Sequence, residues 1–146
     1  MSDIAAESTL KTARANGAMV DVVCADLASA YSPRVRHLVD VLVFNPPYVE
    51  TVDQEATEAQ ASGSIDRAWA GGAAGMSVTN RLLAQLDTLL SPVGRFYLVA
   101  VKENKPLDII AELAKNGFAG EIVLKRRAGR EHLHVLRFTR ATSVEG

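Results

Sequence analysis

The chain has 146 residues, 48% hydrophobic and 23% charged, about one domain's length, which excludes wholesale disorder and the fibrous classes. Sixteen basic and seventeen acidic side chains leave a net charge of −1, so no global positive field draws the protein to nucleic acid or to an anionic membrane. No apolar run approaches the roughly 18 residues of a membrane-spanning helix, and one cysteine with three histidines offers neither an internal disulfide nor zinc-ligand spacing.

These bounds describe a soluble intracellular protein, a single domain over residues 1–146, cytoplasmic with a nuclear location left open, and without a structural metal. Between Ile4 and Asn16, the residues Ala5, Ala6, Thr9, Leu10 and Ala13 recur at helical spacing, and Asn16-Gly17 is a usual helix exit. The β-branched run Met19-Val20-Asp21-Val22-Val23-Cys24-Ala25 predicts a buried strand with Asp26 just beyond its carboxyl end, and Cys24 is expected there as a buried small hydrophobe. Residues 39–44 predict a second strand, cut off by Asn45-Pro46-Pro47-Tyr48. From Glu50 to Gly75 the hydrophobic period is lost and Gly71, Gly72 and Gly75 gather late, the pattern of a long functional loop. Helical spacing returns at Thr79, Leu82, Leu83, Leu86, Leu89 and Leu90, ends at Ser91-Pro92-Val93-Gly94, and leads into a strand over residues 95–101. Pro106 opens a further helix bearing Ile109, Ile110, Leu113 and Ala114, and Gly117 closes it. Residues 121–124 and 132–138 predict two last strands joined by a basic loop from Lys125 to Arg130; with no helix between them, they pair antiparallel. The fold class is α/β, a mostly parallel sheet with an antiparallel carboxyl-terminal strand pair.

Ligands of open α/β sheets bind beyond the carboxyl ends of the strands, and Asn45-Pro46-Pro47-Tyr48 occupies such an end. A following proline holds Asn45 near the extended region, and both prolines contribute carbonyls without N–H groups. The Asn45 side-chain oxygen and the Pro46 carbonyl can accept from one planar –NH2 group while Tyr48 packs on its flat face. Such a nitrogen is a poor nucleophile because its lone pair is delocalised; donating both hydrogens to fixed acceptors localises that pair and aims it. The same tetrapeptide also reads as a rigid turn ending a strand.

That tetrapeptide in its setting, Val41-Leu42-Val43-Phe44-Asn45-Pro46-Pro47-Tyr48-Val49, is joined by Ala68-Trp69-Ala70-Gly71-Gly72-Ala73-Ala74-Gly75 and by Phe96-Tyr97-Leu98-Val99 followed by Lys102-Glu103-Asn104. Together they resemble, nearly end to end, the HemK-type Asn-Pro-Pro-Tyr methyltransferases that use S-adenosylmethionine. The similarity is greatest to the eukaryotic and archaeal subgroup that methylates the glutamine of the Gly-Gly-Gln motif in class I peptide chain release factors. It implies a Rossmann-like class I methyltransferase sheet in which the strands at Val39, Arg95, His132 and Glu121 are neighbours in that order. It further implies S-adenosyl-L-methionine as cofactor, protein-glutamine N5-methylation as the reaction, and a release factor as the protein substrate. A small zinc-binding activator subunit would cover an apolar strand edge, for which residues 19–25 are the candidate. Carried over by resemblance, the catalytic positions are Asn45, Pro46, Pro47 and Tyr48, with Asn45 also at the cofactor. Asp3 would hold the ribose hydroxyls, Asp26 would lie near the adenine with Leu27 beside it, and Trp69, Gly71 and Gly72 would form the substrate loop. The family's first strand and glycine-rich cofactor loop have no match here, so the resemblance implies an amino-terminally incomplete domain.

Adenine-amino methylation of nucleic acid is the rival enzymatic reading, against which stand a pI near 6.3 and an aromatic content of 5%. A second rival is an inactive product that retains only partner binding. Single residues also have plainer readings: Asp3 caps the first helix, Asp26 belongs to a turn, and Trp69 is a core aromatic. His132 and His134 share one strand face and are read as structural; residues 125–130 are read as a solvated loop able to meet an acidic partner.

Overall fold

The computed structural model describes residues 3–31, 34–46, 76–129 and 131–141, in two compact units, residues 1–35 and 36–146. The first begins with helix α1 (Asp3–Ala15), which carries Asp3 in its first turn and Arg14 in its last, charges that complement the helix dipole. Gly17, at φ +64°, supplies the left-handed exit. No residue of α1 is buried. The strand expected at residues 19–25 is absent: the segment is irregular, and Met19, Val20 and Val23 are exposed. A β-branched run becomes a strand only when a neighbour takes its backbone hydrogen bonds, and no described strand pairs with it. Cys24 is accordingly exposed, not buried.

Among the described residues the second unit is built on four strands, β1 (Val39–Phe44), β2 (Leu90–Val101), β3 (Phe118–Ala128) and β4 (Glu131–Arg140), in the order β1-β2-β4-β3. β1 and β2 are parallel, and β4 runs antiparallel to both β2 and β3. The expected adjacency of the four later strands holds. Helices α2 (Ser77–Leu83) and α3 (Leu86–Leu89) precede β2, and a 3-10 turn (Lys102–Asn104) and helix α4 (Pro106–Lys115) follow it.

Three local expectations change. The helix expected as continuous from Thr79 to Leu90 breaks at Ala84-Gln85, and Leu90 already belongs to β2. Leu82, Leu83, Leu86, Leu89 and Leu90 are all buried, so the apolar period reported burial and not helical continuity. Ser91-Pro92-Val93-Gly94, expected to precede the strand, instead bulges within it, where the register passes from Val39 opposite Leu90 to Val41 opposite Arg95. Glycine is required in that bulge, because a Cβ at Gly94 would lie 2.7 Å from the Val39 carbonyl oxygen. The expected basic loop is mostly strand: Lys125, Arg126, Arg127 and Ala128 pair with His134, Leu133, His132 and Glu131. β3 runs to Ala128 and β4 begins at Glu131, with Gly129 at φ +62° at the turn, because a tight hairpin needs a positive-φ residue and exposed cations remain solvated on a paired strand.

Phe96 and Leu98 on β2 stand opposite Phe138 and Leu136 on β4, and all four are fully buried. The two phenylalanine rings stack with centroids 5.8 Å apart. Helix α4 covers this face with Ile109 and Leu113 buried; a Cβ at Gly120 would meet both Phe138 and Ile110. At the amino end of β2 the Arg140 guanidinium donates to the carbonyl oxygens of Asp87 at 2.7 Å and Leu90 at 2.9 Å and lies over the Phe118 ring. It thus ties the junction of α3 and β2 to β4. Among the described residues no helix is long and apolar enough to cross a membrane.

Candidate functional site

β1 and β2, being parallel, present their carboxyl ends on one side of the sheet. Phe44 stands opposite Leu98, so Asn45 leaves the sheet level with Val99 while β2 continues to Val101. Leu42 and Phe44 are half-buried and anchor the strand; Asn45 is exposed and Pro46 is buried. An exposed polar residue therefore directly precedes a buried ring that cannot extend the ladder, a fixed stop at the end of a parallel strand. Pro47 and Tyr48, and Trp69, Gly71 and Gly72 of the expected substrate loop, lie outside the described residues.

Asp3, Asp26 and Leu27 belong to the first unit. Asp3 is the first helical residue of α1, where its charge complements the helix dipole, and not the capping residue before it. Asp26 is exposed, and its carbonyl accepts from the Ser29 N–H at 3.0 Å in a turn where Leu27 takes φ 49°. A left-handed non-glycine residue in a turn is uncommon. It fixes the backbone immediately after the carboxylate.

The turn at Lys102, Glu103 and Asn104, assigned no role from sequence, lies at the same sheet end as Asn45. Asn104 is 7% exposed and its Oδ1 accepts from the Val101 N–H at 2.9 Å. Lys105 then adopts φ 50°, ψ 68°, and Pro106 starts α4 at its first position. The available signal was the end of the strand at Val101, informative once β1 and β2 are known to be parallel neighbours. His134, opposite Ala100, has its Nδ1 buried without a hydrogen-bond partner. Among the described residues no group of three or more His, Cys, Asp or Glu side chains is placed to hold a metal.

No protein-family model matches the chain. Methyltransferase HEMK2 of Homo sapiens is 45% identical over 137 residues, 94% of this chain and 62% of that protein. The eRF1 methyltransferase catalytic subunit mtq2 of Schizosaccharomyces pombe is 50% identical over 107 residues, 73% of this chain and 46% of that protein. The chain is similar to HemK-type methyltransferases over 94% of its own length. It also matches the solved structure of the E. cuniculi Mtq2-Trm112 complex responsible for methylation of the eRF1 translation termination factor. The TM-score is 0.59 at 26% identity, over 90% of this chain and 69% of that one. Its sheet, with β4 reversed between β2 and β3, is that of a Rossmann-like class I methyltransferase. The chain spans 62% of the length of the human relative.

Proposed function

We propose that the chain forms the substrate-amide side of a protein-glutamine N5-methyltransferase that uses S-adenosylmethionine and acts on the Gly-Gly-Gln motif of a class I peptide chain release factor. One observation carries the reading: Asn45-Pro46 ends a parallel strand in a chain 45% identical over 94% of its length to a methyltransferase. The relatives named for eRF1 methylation supply the substrate class. They favour protein glutamine over the adenine of nucleic acid.

In this reading the side-chain oxygen of Asn45 and the carbonyl of Pro46 each accept one hydrogen of the glutamine –NH2, and Tyr48 bounds the flat face of the amide. The cofactor, when bound, supplies an electrophilic methyl group. The exposed carboxylates of Asp3 and Asp26 fit it chemically, since a carboxylate accepts from paired hydroxyls or from an exocyclic amino group. Methylation replaces one of the two amide hydrogens, which departs as a proton. The product can therefore satisfy only one of the two acceptors, a loss that favours its release. A small zinc-binding activator subunit is the proposed partner, by analogy with the Mtq2-Trm112 complex; the exposed Met19, Val20 and Val23 are its proposed contact. The proposed location is the cytoplasm, with the nucleus left open.

The test is methyl transfer by the full-length protein, supplied with the activator, to a release factor. Incorporation is expected with Gly-Gly-Gln and none when that glutamine is replaced by alanine. Asn45→Ala should lower turnover by about a hundredfold, the scale of losing one preorganised polar contact at a reacting centre, with cofactor affinity changed far less. Full turnover by that variant, or methylation of adenine in its place, would overturn the reading.

A further inference from the structure

β2 outlasts β1. Phe44 stands opposite Leu98, yet β2 ends at Val101, so the turn that follows rises about 10 Å beyond the level of Phe44 at the usual ~3.3 Å per residue. An extended polypeptide covers that span in about three residues. If a glutamine amide is held at Asn45, side chains two to four residues away along the substrate come level with Lys102 and Glu103.

The turn is rigid. The Val101 N–H donates to Asn104 Oδ1 at 2.9 Å, a buried bond, and the Lys105 N–H donates to the Lys102 carbonyl at 3.0 Å. Lys105 occupies the left-handed region at φ 50°, where a residue other than glycine persists only when its surroundings over-determine it. Behind it, α4 is anchored by the buried Pro106, Ile109 and Leu113. On this support Lys102 and Glu103 are exposed, and neither side chain has a hydrogen-bond or ion-pair partner among the described residues. Two adjacent opposite charges on a fixed backbone turn, unpaired among the described residues, are suited to pairing with charges on another chain.

We infer that Lys102 and Glu103 are specificity-determining residues that read the polypeptide flanking the reacting glutamine, Lys102 through an acidic side chain and Glu103 through a basic one, with Asn104 as their positioning residue. The inference rests on the methyltransferase reading above. The contacts are solvent-exposed, so each contributes modestly and acts on substrate binding, not on the methyl-transfer step.

Steady-state methylation by the full-length protein, with glutamine peptides whose charged residues two to four positions from the glutamine are reversed one at a time, tests it. Lys102→Glu and Glu103→Lys should each raise KM about three- to tenfold with kcat within about twofold, and the matching charge reversal in the peptide should restore KM. Asn104→Ala should raise KM for every charged peptide, whereas Asn104→Asp, which keeps the acceptor, should stay near the parent protein. Unchanged KM in the two charge variants, or a rise that no peptide reversal restores, would overturn the inference while leaving the methyltransferase reading intact. Failure of the unsubstituted protein to methylate any glutamine peptide would overturn both.

Discussion

The first unit and the sheet of the second are held by different means. In α1 the side-chain bonds are local, from Thr9 to the Ala5 carbonyl, Thr12 to Ser8 and Asn16 to Thr12, and no residue is buried. In the sheet Phe96, Leu98, Leu136 and Phe138 are fully buried, brought together from strands some forty residues apart in sequence. Local bonds define a helix but add little to its persistence in water; burial of apolar surface supplies the persistence. Stability should therefore be divided unevenly along the chain.

Hydrogen exchange should show the largest contrast. Amides of β2 and β4 open only with the whole core, at a cost on the scale of global unfolding, about 5 kcal/mol or more, whereas those from Ala5 to Ala25 open locally. Exchange should differ by about a thousandfold or more in intrinsic-rate-corrected protection. Equal protection of both regions in a monomer would break the comparison. Next in size, Phe138→Ala removes one ring of the buried stack and should cost about 3–5 kcal/mol in denaturant unfolding. Ile4→Ala, at a side chain 77% exposed, should change stability by less than about 0.5 kcal/mol; a cost near that of Phe138→Ala would show that α1 is packed after all.

The smallest expected effect concerns pH. Glu121 and Arg137 face each other across β3 and β4, and the hydrogen bond from Arg137 to Glu121, followed by the attraction of their charges, raises the Arg137 pKa above its usual value. A raised folded-state pKa stabilises fully below the unfolded value and is lost only as pH climbs through the folded one. That window is strongly alkaline, so Arg137 should contribute no slope to the melting temperature near neutrality. Thermal melts of the parent and Arg137→Gln proteins should run parallel there, and diverging curves would refute the assignment.

Much of the second unit was legible in sequence. β1 ends at Phe44 as read, because Pro46 has no N–H to continue a ladder, and α4 begins at Pro106 because a fixed φ suits the first helical turn. The adjacency of the four strands came from the family resemblance and not from periodicity, which does not order strands. Of the candidate site, the position of Asn45 at a strand end was legible. The turn at Lys102–Asn104 was not assigned a place beside it, because that place depends on which strands are neighbours and how far each extends.

By itself the sequence determined where β1 stops, where α4 starts and which side chains need burial, since the rings of Pro46 and Pro106 and the leucines from Leu82 to Leu90 act within a few residues of themselves. Tertiary structure alone decided whether an apolar run becomes a strand. Residues 19–25 and 39–44 are both rich in β-branched side chains, yet among the described residues the second alone has a strand partner, in β2, and a strand's hydrogen bonds are supplied by a segment the local sequence does not contain.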